Sequence, residues 1–118
     1  MSKSKKQIDP LTLVSEKEWT QQVVDLAHIY HWRVAHFRAA MTKYGWKTPI
    51  QGDKGFPDLV LVRGDRLIFA ELKAEGGNLS KEQKDWLIAC EIVARGLINI
   101  KVFCWYPSDF DMVQGILK

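Results

Sequence analysis

Two apolar runs joined by a four-residue link constrain this chain more than any other stretch. Leu59-Val60-Leu61-Val62 and Leu67-Ile68-Phe69-Ala70 flank Arg63-Gly64-Asp65-Arg66. Glycine supplies the positive φ that a two-residue hairpin turn needs, so the link predicts a tight turn centred on Gly64-Asp65. Counting outward pairs Arg63 with Arg66, Val62 with Leu67, Leu61 with Ile68, Val60 with Phe69 and Leu59 with Ala70. The next pair is Asp58 with Glu71. Directly opposed side chains on antiparallel strands have Cβ atoms roughly 5 Å apart, so two carboxylates face each other at one end of the hairpin. Lys73, two residues past Glu71, points to the same face. Val60, Val62, Leu67 and Phe69 share that face, and Leu59, Leu61, Ile68, Ala70 and Leu72 form the other. Both are apolar, which predicts cover on both sides.

Opposed carboxylates destabilise a strand pair unless something offsets their repulsion. A divalent cation between them reverses the sign of the interaction. Mg²⁺ often takes only one or two carboxylates, leaving positions for water and phosphate. Two acids with an ammonium beside them therefore suit hydrolysis of a phosphodiester. The competing reading makes Asp58 a turn residue after Pro57, and Glu71 and Lys73 a solvated edge. The apolar neighbours on both faces favour a site.

The remaining segments predict one domain. Ser15 to Tyr30 reads as a helix with Trp19, Val23, Leu26, Ala27 and Tyr30 toward the core. Arg33 to Phe37 reads as a short strand, and Met41 to Lys54 as a long loop. After the hairpin, Gly76-Gly77-Asn78 makes a turn. Ser80 to Ala94 follows as a helix with Trp86, Leu87, Cys90 and Val93 on its apolar side, closed by Arg95-Gly96. Lys101 to Tyr106 is strand-like, Pro107 stops it, and Ser108 opens a terminal helix. The order αβββαβα predicts an α/β domain with a small mixed four-stranded sheet flanked by helices. The helical crossover suits a parallel connection.

Composition narrows the classes further. At 118 residues the chain has length for a single core. No apolar run approaches the length of a membrane span. The basic start, Met1-Ser2-Lys3-Ser4-Lys5-Lys6, lacks the apolar stretch of a signal peptide, so residues 1–14 read as a polar tail before a domain at 15–118. A net charge of +3 permits nucleic-acid binding without demanding it. Cys90 and Cys104 lie among apolar neighbours and read as buried free thiols rather than a disulfide.

Glu18 on the first helix, Gly55-Phe56-Pro57-Asp58, Glu71-Leu72-Lys73 and Ser80-x-x-Gln83 together resemble the PD-(D/E)XK nuclease superfamily. More narrowly, they resemble the stand-alone virus-type replication-repair nuclease (VRR-NUC) domain found in phages and bacteria. The resemblance runs from about Ser15 to Leu117 and includes Trp105-Tyr106-Pro107-Ser108-Asp109. It implies a restriction-endonuclease-like core and a Mg²⁺- or Mn²⁺-dependent endonuclease acting on branched DNA. Holliday-junction resolvase-like cleavage, a homodimer and an intracellular setting, a bacterial or phage-infected cytoplasm, come with it. It also implies roles. Asp58 and Glu71 would hold metal, with the Leu72 backbone carbonyl and Glu18 as further ligands. Lys73 would position or activate water or hold phosphate charge, and Gln83 matches the family's downstream glutamine.

Two of these positions have structural competitors. Ser15-Glu16-Lys17-Glu18 and Ser80-Lys81-Glu82-Gln83 both fit a helix capping box. Arg38, Lys43, Lys47 and Lys54, interleaved with Tyr44 and Trp46, supply cations and aromatics suited to DNA; a solvated surface loop is the plain alternative. Lys81 and Lys84 lie on a helix that solvent alone would explain. His28, His31 and His36 have no partners at metal spacing. Two rival functions share the fold: a DNA-binding module without chemistry, and a restriction-type enzyme reading duplex sequence. The intact Asp58, Glu71 and Lys73 argue against the first, and the short chain leaves little room for the second's recognition domain.

Overall fold

In the computed structural model, residues 9–37, 40–47 and 51–118 are described. The first eight residues of the expected tail, and Arg38, lie outside them. Helix α1 spans Glu16–Ile29, and strand β1 spans Arg33–His36. Strands β2 (Ala40–Thr42) and β3 (Gly45–Lys47) precede the hairpin strands β4 (Leu59–Arg63) and β5 (Arg66–Leu72). Helix α2 (Lys81–Ala94), strand β6 (Ile100–Trp105) and helix α3 (Phe110–Leu117) complete the chain.

The sheet is mixed, in the order β1-β4-β5-β6. Strands β4 and β5 pair antiparallel, from Arg63 opposite Arg66 to Leu59 opposite Ala70, which is the register counted from the turn. Gly64 takes the positive φ, +59°, that the turn requires. Strand β6 runs parallel to β5, with α2 as the crossover. Strand β1 lies antiparallel to β4 on its other side.

One face of the sheet is the core. Trp19, Val23 and Ala27 of α1 and Val113 and Leu117 of α3 bury Leu59, Leu61, Ile68, Ala70 and Leu72. The two buried indoles also donate: Trp19 Nε1 to the Trp105 carbonyl at 3.0 Å, and Trp32 Nε1 to that of Leu117 at 2.8 Å. At the turn end of the hairpin, Arg63 donates to the Tyr30, Leu117 and Lys118 carbonyls and Arg66 to that of Ile116. Both guanidinium groups lie over the Trp32 ring. That end of the hairpin fastens the C-terminal helix; the opposite end is left for the acids.

Four expectations need correction. The 41–54 segment is not all loop, because β2 and β3 form a two-stranded ribbon with Lys43 and Tyr44 at its turn. The second face of the hairpin is only partly covered: Val62 is 37% exposed, and cover comes from an edge-on aromatic group of Phe37, Phe56, Phe69 and Trp86. Helix α2 contains no fully buried residue, and Val93, expected toward the core, is 70% exposed. Cys90 and Cys104 are free thiols, but half-buried rather than buried.

His31 occupies the left-handed region, with φ +67°, where α1 ends. The Trp32 N–H returns to the Ala27 carbonyl and the His31 N–H to that of His28. This is the Schellman arrangement that closes a helix end, so His31 has a structural assignment.

Candidate active site

The acids meet because the hairpin register brings their backbones together and two further contacts fix the side chains. Asp58 follows the buried Pro57 at the entry to β4. Its backbone carbonyl accepts the Phe37 N–H at 2.9 Å, and its Oδ2 accepts the Leu72 N–H at 2.9 Å. The Asp58 carboxylate thus reaches across to the end of β5. There it faces the Glu71 carboxyl, close enough to share a proton with it.

Glu71 is 1% exposed, one of two buried polar or charged residues in the described structure. Burial, first, and the shared proton and charge of Asp58, next, push its carboxyl from an ordinary 4.5 up to about 9, against the pull of Lys73. Glu71 Oε1 accepts from Gln83 Nε2 at 3.0 Å. Its Oε2 is buried and has no hydrogen-bond partner among the described residues. A buried carboxylate oxygen left without a donor is costly.

Gln83 serves two roles at once. It is the third residue of α2, and its Oε1 accepts the Ser80 N–H at 2.9 Å while Ser80 Oγ accepts the Gln83 N–H at 3.1 Å. The capping box is complete, and the amide nitrogen is left over for Glu71. Gly55 permits this closeness. A Cβ there would lie 2.6 Å from the Glu82 carbonyl carbon and 2.8 Å from the Gln83 nitrogen, at a φ of +98°. Only glycine lets the Phe56-Pro57-Asp58 segment pass so near the start of α2.

The structure brings Asp58, Glu71, Lys73 and Gln83 together, and adds Glu16. Lys73 is largely buried, with 14% of its side chain exposed, and its Nζ lies 3.8 Å from Glu16 Oε1. Burial raises the Glu16 carboxyl; Lys73 lowers it and Asp58 raises it. Glu18 is placed differently. It is exposed, and its contacts are the capping box: Oε1 with the Ser15 N–H at 3.4 Å, and its own N–H to Ser15 Oγ at 3.0 Å. The acid that α1 presents to Lys73 is therefore Glu16. The cap itself was the available signal, since a box that occupies the third helical position leaves the first one free. Cys104 is a second neighbour that the sequence reading did not place here. It stands in register with Glu71 across the parallel pair, and burial raises its thiol.

Among the described residues no group of three or more His, Cys, Asp or Glu side chains is assembled as a metal site. The donor set nevertheless fits a hard cation. Two neighbouring acids, one with a buried unpartnered oxygen, hold a proton where a bound cation would take its place. For Leu72 the observed contact is its N–H to Asp58.

Of the residues expected on DNA, Lys54 stands apart from those on the β2–β3 ribbon. Lys54 is 79% exposed and pairs with Glu82 at 3.8 Å. It borders an open groove lined by Asp53, Glu82, Asp85 and Trp86, which is too acidic to favour phosphate. Lys43 and Tyr44 form the exposed turn of the β2–β3 ribbon. Trp46 and Lys47 lie on β3, with side chains outside the described set, and Arg38 is outside it altogether. Lys81 pairs with Asp85 along its own helix at 3.1 Å.

No helix among the described residues is long and apolar enough to cross a membrane. Compared with known families, the chain matches the profile described as the VRR-NUC domain over residues 3–98. No curated protein matches it.

Proposed function

The chain belongs to the VRR-NUC domain family, a family of nuclease domains, and from that premise we propose that it is a divalent-metal-dependent, structure-specific DNA endonuclease. Its preferred substrate is branched DNA, cut in the manner of a Holliday-junction resolvase. The observation that carries the reading is Glu71: a carboxylate buried to 1%, facing a second acid, with one oxygen left without a partner. An acid kept in that state costs stability and is retained where binding or chemistry requires it.

Asp58 and Glu71 hold Mg²⁺ or Mn²⁺ in this proposal, with the Leu72 carbonyl as a further ligand. The ion, when bound, supplies Lewis-acid polarisation of the phosphate and of the attacking water. Gln83 orients Glu71 through Oε1 and so leaves Oε2 for the ion. Lys73 sits beside the acids as a compact cation for the charge that builds on the phosphate. Glu16 fixes its position. Arg38, Lys43, Tyr44, Trp46 and Lys47 contribute the DNA contacts, and Lys54, held among acids, does not.

A homodimer completes the proposal, since a two-fold assembly presents two equivalent sites to a symmetric junction. Ile88 and Ile92, one turn apart on α2 and exposed by 55% and 57%, are the apolar surface that a second copy would cover. Replacing Ile92 by Lys should shift the sedimentation coefficient to that of a monomer.

The deciding experiment incubates the purified protein with Mg²⁺ or Mn²⁺ and labelled four-way junction, flap, single-strand and duplex DNA, with Asp58→Ala as control. Metal-dependent cutting of the branched substrates that Asp58→Ala abolishes is the expected result. Binding without cutting under either metal would replace the enzyme with a DNA-binding module.

A further inference from the structure

One ring is common to the elements that build the site. Phe56 meets three other rings edge-to-face: Phe37 with centroids 5.3 Å apart at 87°, Phe69 at 6.1 Å and 90°, and Trp86 at 5.0 Å and 83°. Each of these three belongs to a part of the chain that also holds an acid in place. The Phe37 N–H bonds to the Asp58 carbonyl. Phe69 lies two residues before Glu71 on β5, so their side chains share a face. Trp86 lies three residues after Gln83 on α2, about one turn along the same side. Phe56 itself stands two residues before Asp58, across the buried Pro57.

Further contacts run along the same lines. The Trp86 indole N–H donates to the Asp53 carbonyl at 3.0 Å, and Gly55 passes against the first turn of α2. The lead-in to Asp58 is thus held to α2 at Asp53, Gly55 and Phe56. Gln83 comes to Glu71 from α2, and Asp58 comes to it from that lead-in. Their relative placement follows from this packing. An edge-to-face pair depends on ring orientation, because the positive edge of one ring seeks the negative face of the other. An aliphatic side chain fills the volume without that preference.

We propose that Phe56 is a positioning residue: its ring, set by Phe37, Phe69 and Trp86, fixes where the Asp58 carboxylate stands beside Glu71 and so sets the affinity of the two acids for a divalent cation. Phe56 acts through Asp58 and meets no ion or phosphate itself. The affinity rests on the metal-site reading above; the placement of Asp58 does not.

The Leu72 N–H reports that placement, because the Asp58 carboxylate is its acceptor. Amide exchange of the full chain, followed by NMR without metal, compares Leu72 with Ile68 in the middle of β5. In Phe56→Leu the Leu72 amide should exchange about tenfold faster or more, and the Ile68 amide less than about threefold faster. Val113→Ala truncates a buried core residue of α3 and controls for lost stability; it should change both amides by a common factor. Electron paramagnetic resonance of free Mn²⁺ then measures affinity. This should weaken by about tenfold or more in Phe56→Leu, the range for an outer partner of a metal ligand, and by less than about threefold in Val113→Ala. Trp86→Leu removes a ring from the other side of the contact and should move both readouts in the same direction; it decides by the same criteria should Phe56→Leu fail to fold. Equal acceleration of Leu72 and Ile68, or Mn²⁺ affinity equal to that of the wild type, overturns the proposal. A wild type that binds no Mn²⁺ while the Leu72 amide responds refutes the metal reading and leaves Phe56 as the residue that places Asp58.

Discussion

Gln83 donates to Glu71 across 3.0 Å while its other amide atom closes the cap of α2. One side chain thus ties the start of a helix to the most buried acid of the sheet. Gln83→Ala should cost about 1 kcal/mol of stability through the cap. It should also lower metal-dependent cleavage by roughly 10- to 100-fold, as loss of an outer partner typically does. Titrating Mg²⁺ or Mn²⁺ separates the two effects: higher metal should recover part of the rate, which a purely structural cap would not show.

The raised Glu71 carboxyl fixes a sign for pH. The folded protein holds this proton up to about pH 9, whereas the unfolded chain releases it near 4.5. Across that window the native state binds more protons, so this group's contribution to stability falls as pH rises. The metal-free protein should melt at a lower temperature at pH 8.5 than at pH 6, and Glu71→Gln should flatten the dependence. Added Mg²⁺ or Mn²⁺ should raise the melting temperature more at the higher pH, because binding requires the carboxylate. Melting curves in paired buffers measure all three.

Glu16 and Glu18 should separate by function. Glu16→Gln removes the carboxylate beside Lys73 and should reduce cleavage by about tenfold or more. Glu18→Gln retains an acceptor for the Ser15 cap and should cost less than about 0.5 kcal/mol. Its cleavage should stay well above that of Glu16→Gln. Equal losses from the two would remove Glu16 from the site.

Lys73→Arg tests whether the ammonium moves a proton. Arginine retains the charge but does not give up a proton in this pH range. With Glu16 3.8 Å away holding a cation in place, the variant should retain cleavage within about tenfold of the wild type, with the same pH–rate profile. Loss of activity beyond about a thousandfold would assign Lys73 to proton transfer.

Gly55 and Gly52 share nearly the same φ, +98° and +97°, but only Gly55 faces backbone where a Cβ would stand. Gly52→Ala should cost the conformational strain alone, about 1 kcal/mol. Gly55→Ala should cost roughly 2 kcal/mol or more, because the start of α2 must move. Cleavage should fall with it, since that movement carries Gln83 away from Glu71. Chemical denaturation and initial rates on one preparation check both.

The hairpin was legible in the sequence because local rules agree there. A Gly-Asp turn between matched apolar runs allows one register, and the register brings Asp58 to Glu71. The helices were legible for the same reason, through Ser caps and helical spacing. The β2–β3 ribbon was not, because three-residue strands carry too little periodicity to stand out from a loop. Spacing also misled about α2. It tells which side of a helix is apolar, as with Trp86 and Val93, but not whether another element lies against it. The Ser15 cap already assigned Glu18 to the helix start; that Glu16 then turns to Lys73 depends on how α1 packs, which follows from Trp19, Val23 and Ala27 settling on the sheet.

Helix α2 supplies Gln83 yet sinks none of its own side chains fully into the molecule. The element that aims the decisive acid is thus anchored more lightly than the scaffold around it. If the proposed site takes an ion, docking of α2 and loading of the site would be two views of one equilibrium: an ion seated at Glu71 would tighten the helix, and a loosened helix would empty the seat. Amide exchange along 81–94 should consequently slow when metal is added, while exchange in the core strands changes little.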